Sequence, residues 1–199
     1  PELHKRAALW LEQNGHLDEA FRHALVSRDL DWAADMIERN MQAMLNMGEM
    51  STIARWIGRL PDEITRKRLF LSMGYAWSLI TTNQVDLAQY WLDDALQSME
   101  QIEKQKDGEP TIEEAGSIDR VGNVDLLEVR GGLAVCQSIL AMMSGDLKLA
   151  AEFSQQATSY LPEDNVWLRS FIALDDTITS VLSGDLQRAV ESSRTTLRI

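Results

Sequence analysis

The chain has 199 residues, of which 45% are hydrophobic and 25% are charged, and its formal net charge is −12. A chain of this length can bury a sizeable core or form a short helical solenoid. The acidic balance argues against direct contact with nucleic acid or an anionic membrane, because both require a basic surface. No apolar run reaches the roughly 20 residues of a membrane span. The one cysteine, Cys136, excludes an internal disulfide framework and is typical of a cytoplasmic protein.

Apolar residues recur at helical spacing, proline is scarce and the alternation typical of strands is absent. This pattern predicts an all-α chain of about ten helices. The fourth helix should stop before Pro61, because the residue preceding a proline is displaced from the helical region, and residues 61–63 should form a turn. The predicted helices span residues 3–14, 17–27, 29–47, 49–60, 68–82, 85–104, 126–143, 146–161, 166–182 and 185–197.

One short pattern recurs between predicted helices: a turn residue, a polar residue, an aliphatic residue, two variable residues and Ala. Gly or Asn at the first position adopts a positive φ at little cost and ends the preceding helix. Asp at the second position caps the following helix, and the Ala lets a neighbouring helix approach closely. Clear copies begin at Gly15, Asn83, Gly145 and Gly184, and weaker ones at Arg28 and Gly48.

The spacing of these joints indicates tetratricopeptide-type repeats. Gly48 lies 33 residues after Gly15, and Asn83 lies 35 residues after Gly48. A period of about 34 residues built from helix pairs is the signature of this class. The next interval, from Asn83 to Gly145, is 62 residues. We therefore expect an all-α superhelix of antiparallel helix pairs in which the repeat is real but irregular.

A charged stretch containing Gly and Pro explains the long interval and predicts the domain organisation. Residues 1–101 should form an N-terminal helical-repeat sub-bundle, residues 102–123 a long loop, and residues 124–199 the C-terminal repeats. The chain starts without an initiator Met and ends at Ile199 with no helix stop signal. We accordingly expect it to be a fragment of a longer protein.

Five stretches of the chain form a recognisable series. They are LHKRAALW at 3–10, NGHLDEAFRHAL at 14–25, RWIGRLPDE at 55–63, LPED at 161–164 and GDL at 184–186. Together they resemble the central helical region of MalT-type regulators, the large ATP-binding transcriptional activators of the LuxR class.

The resemblance implies a sensor region that lies between an N-terminal NTPase and a C-terminal helix-turn-helix domain. It implies that ATP is a cofactor of the full-length protein and that this piece has none, since the sequence lacks a GxxxxGK[ST] phosphate loop. The sequence also lacks a basic recognition helix, so no direct contact with nucleic acid is expected. The implied partners are a small-molecule inducer, regulatory proteins and further copies of the protein.

Signals of catalysis and of metal binding are weak. His16, Glu19 and His23 share a helical face but offer no fourth ligand, so surface or capping roles are favoured. The adjacent aspartates at 93–94 and 175–176 point in different directions on a helix and do not form acid–base couples. We expect neither an enzyme nor a metal site.

A polar stripe is the candidate ligand site. Alignment of the repeats on their joints places three residues where this repeat class keeps Leu, on the inward side of the first helix. Buried polar groups are costly unless paired, so they should bond one another, the backbone or a ligand. Two arginines lie seven residues earlier on the same helices, and one tryptophan projects toward the concave surface. The three inward residues are Tyr75, Gln137 and Asp176, the two arginines are Arg130 and Arg169, and the tryptophan is Trp77.

Two functions from different classes fit these features. The first is an inducer-sensing and oligomerisation module of a cytoplasmic, ATP-dependent bacterial transcriptional activator. The alternative is a tetratricopeptide-type scaffold for protein–protein interaction with no small-molecule ligand. A concave pocket with convergent polar groups would favour the first function, and an open apolar groove the second.

Overall fold

The computed structural model describes residues 2–106, 120–121, 124–163 and 165–196. This part of the chain contains eleven helices and one short antiparallel hairpin of two strands. The elements are α1 (Glu2–Gln13), α2 (Leu17–Val26), α3 (Leu30–Asn46), α4 (Met50–Ile57), α5 (Asp62–Arg66), α6 (Leu69–Thr81), α7 (Val85–Lys106), β1 (Arg120–Val121), β2 (Val124–Asp125), α8 (Leu126–Met143), α9 (Leu147–Tyr160), α10 (Val166–Ser183) and α11 (Leu186–Thr196). The predicted all-α class is confirmed.

Consecutive helices pack as five pairs: α1 with α2, α3 with α4, α6 with α7, α8 with α9, and α10 with α11. Contacts of α3 with α6, of α6 with α8 and of α8 with α10 join the first helices of four successive pairs. Second helices also contact the next pair, since α4 packs on α6, α7 on α8 and α9 on α10. This pattern is that of a helical-repeat solenoid.

The joints have the backbone geometry that the recurrent pattern predicts. Left-handed φ values between 61° and 85° occur at Gly15, Arg28, Gly48, Asn83, Gly145 and Gly184. Aspartate side chains then accept a hydrogen bond from the backbone N–H three residues further on, at Asp29, Asp146 and Asp185. Each joint therefore ends one helix, and several also cap the next helix.

Two boundaries differ from the prediction. Residues 61–63 do not form a simple turn, because Pro61 precedes the five-residue helix α5. Asp62 and Glu63 in its first turn and Arg66 in its last complement the helix dipole. Helix α7 extends to Lys106, so the predicted loop over 102–123 begins five residues too early. Residues 107–119 and 122–123 of that loop lie outside the described residues.

Helix α8 is the central helix of the core. By length and composition alone it could cross a membrane, but 61% of it is buried inside the protein. It contacts α6, α7, α9 and α10. A Cβ on Gly131 would lie 2.5 Å from Leu161 Cγ, and a Cβ on Gly132 would lie 2.5 Å from Met73 Sδ. The two glycines thus allow close contact with the end of α9 and with α6.

Candidate functional site

The site that the fold assembles lies between the first helices of four pairs. Helices α3, α6, α8 and α10 all contribute side chains to one concave region. This region has a narrow inner part and a wide outer part, which share Gln42, Glu128, Asn165 and Trp167. We call the whole region the aromatic pocket.

The inner part of the aromatic pocket is apolar and narrow. It encloses a void of about 30 Å³, which is room for about one water molecule or a methyl-sized group. Two glycines, Gly74 and Gly132, form part of its wall. Its other apolar lining residues are Leu45, Phe70, Met73, Trp77, Trp167 and Leu168.

Three aromatic rings pack together at the wall between α6 and α10. The Trp77 ring centroid lies 5.1 Å from that of Trp167 and 4.8 Å from that of Phe171, and the last two are 5.1 Å apart. Trp77 is only 3% exposed, yet its indole N–H has no hydrogen-bond partner among the described residues. A buried donor without an acceptor is costly, and this indole nitrogen is closed off from the surface.

The outer part is a depression of about 620 Å³ that is widely open to solvent, and small-molecule sites typically have volumes of roughly 300–1,000 Å³. Its lining is amide, hydroxyl and carboxylate groups beside one aromatic wall. The lining residues are Gln42, Asn46, Glu128, Asn165, Val166, Trp167 and Ser170. The arrangement therefore combines an aromatic surface with convergent hydrogen-bonding groups.

Asn165 links the polar rim to the backbone of α10. Its Oδ1 accepts a hydrogen bond from the backbone N–H of Leu168 at 3.2 Å, which caps the helix. Its Nδ2 donates to Glu128 Oε1 at 3.4 Å. Glu128 is the one ionisable side chain in the lining that the structure describes, and no Lys or Arg lines either part. The pocket is consequently negative in character.

Of the six residues predicted from the sequence, Trp77 lies in the aromatic pocket and the other five lie elsewhere. The ring of Tyr75 packs on Trp91 at 5.2 Å, and burial raises the pKa of its phenol. Arg169 donates to the backbone carbonyl of Leu161 at 2.8 Å. Asp176 pairs with Arg188 at 3.4 Å.

Arg130 and Gln137 face a different groove, between α7 and the α8–α9 pair. The Arg130 guanidinium pairs with Glu103 and lies 5.0 Å from the ring centroid of Tyr160. Gln137 lines this groove and the one beside it. The two residues thus share a side of the molecule, but they do not join Trp77.

The three residues predicted on the inward side are less buried than the residues that precede them. Tyr75, Gln137 and Asp176 are each half-buried, whereas the residue immediately before each of them is buried. These buried residues are Gly74, Cys136 and Asp175. The joint fixes where a helix ends, but the rotation of the helix about its axis depends on its tertiary packing.

The residues that sequence reasoning missed are Glu128, Asn165 and Trp167. A signal for Asn165 was present, because Asn immediately before an apolar helical run is a strong N-cap. Such a cap indicates a helix start and does not by itself indicate a ligand. These side chains meet Gln42 on α3 because of the curvature of the whole solenoid. Short sequence patterns do not reveal that curvature.

The residues considered as metal ligands, and the one cysteine, have structural roles. The His23 Nδ1 lies 2.9 Å from His4 Nδ1, and Glu19 pairs with Arg22 at 2.8 Å. His16 precedes α2 without a side-chain cap bond. Cys136 is fully buried, and burial raises the pKa of its thiol to about 12, which makes it an inert core residue at neutral pH.

Comparison with known proteins shows partial similarity to a protein kinase and to a transcriptional regulator. The chain is 34% identical over 79 residues to the serine/threonine-protein kinase PknK of Mycobacterium tuberculosis, covering 40% of this chain and 7% of that protein. It is 30% identical over 93 residues to the HTH-type transcriptional regulator AlkS of Ectopseudomonas oleovorans, covering 46% of this chain and 10% of the regulator. Against AlkS of Pseudomonas putida the identity is 32% over 95 residues, covering 47% and 11%.

The chain therefore spans about a tenth or less of the length of these curated relatives. No family model matches it. No solved structure matches it either. The chain is similar to a segment of a transcriptional regulator and to a segment of a protein kinase, and the MalT-type resemblance stays a prediction.

Proposed function

We propose that this chain is the ligand-sensing helical-repeat region of a bacterial transcriptional regulator and is not itself an enzyme. The observation that carries the proposal is the aromatic pocket, where an apolar aromatic wall and convergent polar groups occur together. The partial similarity to AlkS supports the regulatory context.

The pocket suggests how binding is relayed. Its walls come from α3 near one end of the solenoid and from α10 near the other. A ligand that contacts both walls favours the curvature in which they are close. It shifts the population toward that curvature by its difference in affinity for the two states.

The other functions of the regulator belong to other parts of a longer protein. ATP binding and DNA binding are assigned to an NTPase and a helix-turn-helix domain that this chain does not contain. The chain would act in the cytoplasm, bind no cofactor of its own, and contribute to self-association and to contacts with regulatory proteins.

The first test is thermal unfolding of the chain across a metabolite library. A ligand present at a hundredfold excess over its dissociation constant stabilises the folded state by about 2.7 kcal/mol, a readily measured shift. Each hit is then repeated with Trp167→Ala, which removes the shared aromatic wall. Asp176→Ala serves as the matched control on the same helix, because Asp176 lies outside the aromatic pocket.

A hit that is lost in Trp167→Ala and kept in Asp176→Ala supports the proposal. A hit that survives Trp167→Ala moves the ligand site out of the aromatic pocket. If no compound in the library shifts the unfolding temperature, the sensing role is contradicted and the scaffold function takes its place.

The scaffold alternative has one observation in its favour. An apolar face on α10 and α11 is open to solvent, with Leu182 62%, Leu186 66% and Val190 51% exposed. Apolar residues clustered in this way mark surfaces that bind other proteins. This face would bind a partner protein whether or not the aromatic pocket binds a ligand.

A further inference from the structure

The aromatic pocket has a charge character that restricts its ligand. Its outer part contains the carboxylate of Glu128 and otherwise amide and hydroxyl groups, and no basic side chain appears in the described lining. The nearest basic residue along α10, Arg169, is held by its bond to the Leu161 carbonyl. An anionic ligand would therefore meet a carboxylate without any cation to compensate it.

The aromatic rings of the pocket also favour a cationic ligand over an anionic one. Trp167 lines both parts of the pocket, and Trp77 and Phe70 line the inner part. Aromatic faces carry negative partial charge and attract cations that lie within about 6 Å of the ring centroid, with Trp the strongest of the three. A carboxylate next to aromatic faces is the combination that recognises an organic ammonium ion.

We infer that the aromatic pocket selects a small organic ammonium cation, whose charged head lies between Glu128 and Trp167 and whose apolar part enters toward Trp77. The inference rests on the proposed function, because it names the ligand class of that same pocket.

The test uses three probes of nearly the same shape that differ in charge: choline, the neutral 3,3-dimethylbutan-1-ol and the anionic 3,3-dimethylbutanoate. Each is titrated into ¹⁵N-labelled protein while the indole N–H signals of the six tryptophans are followed by NMR. Trp77→Phe and Trp167→Phe assign the two pocket signals. Trp10, which is 61% exposed on α1, provides the reference signal that should not shift.

Choline is expected to bind about tenfold more tightly than the neutral alcohol, while the carboxylate should bind more weakly than both. Added salt should weaken the binding of choline and leave that of the alcohol unchanged, because only the charged probe is screened. Glu128→Gln should reduce the preference for choline over the alcohol and leave only the part that the aromatic rings supply. Glu163→Gln, an exposed glutamate outside the pocket, should leave the preference intact.

Equal binding of choline and the alcohol, or tighter binding of the carboxylate, would overturn the inference and leave the proposed ligand pocket in place. A choline preference that is undiminished in Glu128→Gln would also overturn it. Absence of any shift at Trp77 and Trp167 with all three probes overturns the ammonium assignment as well. The library screen then decides separately whether the pocket binds anything.

Discussion

At the scale of single residues, Asp175 has an environment unlike that of a solvated carboxylate. It is 4% exposed, and one of its oxygens has no hydrogen-bond partner in the described structure. The Ser138 hydroxyl contacts the other oxygen and also donates to the Ala150 carbonyl at 2.7 Å. A hydroxyl has one proton for these two acceptors. A protonated Asp175 resolves the conflict by donating to Ser138 Oγ.

Burial raises the pKa of Asp175 above its ordinary value of 3.8, against the lowering effect of the Ser138 bond. Because the folded state holds this proton more tightly than the unfolded state, stability should fall as pH rises from the ordinary pKa through the raised one. At pH values above the raised pKa, the effect of Asp175 on the free energy of unfolding no longer changes with pH. We expect Asp175→Asn to remove that part of the pH dependence in urea unfolding measured from about pH 4 to about pH 8.

Asp176→Asn is the matched control, since Asp176 is an adjacent aspartate that pairs with Arg188 on the surface. It should keep most of the slope of the wild-type protein, because the negative charge of Asp176 adds less to the raised pKa of Asp175 than burial does. An unchanged slope in Asp175→Asn would show that the carboxyl is ionised in the folded state at all these pH values.

At the scale of helices, the sequence predicts most of the fold because its joints are local signals. The left-handed residues and the aspartate caps act within a few residues of one another, so a single sequence reveals them. Helix α5 was missed because its five residues are too few for a periodic pattern. The rotation of α10 was also missed, because it depends on contacts with α8 and α9.

Glycines within α8 give a prediction at this scale. Replacing a helix-interior Gly with Ala usually stabilises by about 1 kcal/mol through helix propensity. At Gly131 the new methyl group would meet the branched carbon of Leu161. We therefore expect Gly131→Ala to lower the free energy of unfolding by about 1–2 kcal/mol, measured by chemical denaturation.

Gly132→Ala is the comparison, because its methyl group meets the flexible thioether of Met73, which can move at lower cost. Its loss of stability should be smaller than that of Gly131→Ala. Stabilisation by Gly131→Ala would mean that α8 and the end of α9 are less closely packed than described.

At the scale of the whole molecule, the candidate site was only partly predictable. Trp77, which the joint at Asn83 predicts on the concave side, lines the inner part of the aromatic pocket. Glu128 and Trp167 could not be linked to it, because their proximity results from the summed rotation of successive helix pairs. Small errors in the predicted rotation of each helix pair accumulate over the solenoid, so the sequence predicted a polar stripe instead of a pocket.

The exposed apolar face on α10 and α11 gives a prediction of association. We expect the weight-average mass in sedimentation velocity to rise with concentration, because two copies can cover Leu182 and Leu186 against each other. The double variant Leu182→Gln with Leu186→Gln should stay monomeric. Met143→Gln, at an apolar residue 45% exposed elsewhere, should associate as the wild-type protein does. A monomer at every concentration would contradict this use of the face.

The enclosure of the aromatic pocket by both α3 and α10 has a consequence for folding kinetics. Most contacts of a solenoid join neighbouring pairs, so the chain can fold from any pair outward. The meeting of Gln42 and Leu45 with Trp167 and Leu168 instead closes a long loop of chain, which costs entropy and forms late. A ligand in the pocket would therefore slow unfolding far more than it speeds folding. The ligand-bound solenoid would unfold slowly because the ligand holds α3 and α10 together, whereas the ligand-free solenoid would unfold from its ends.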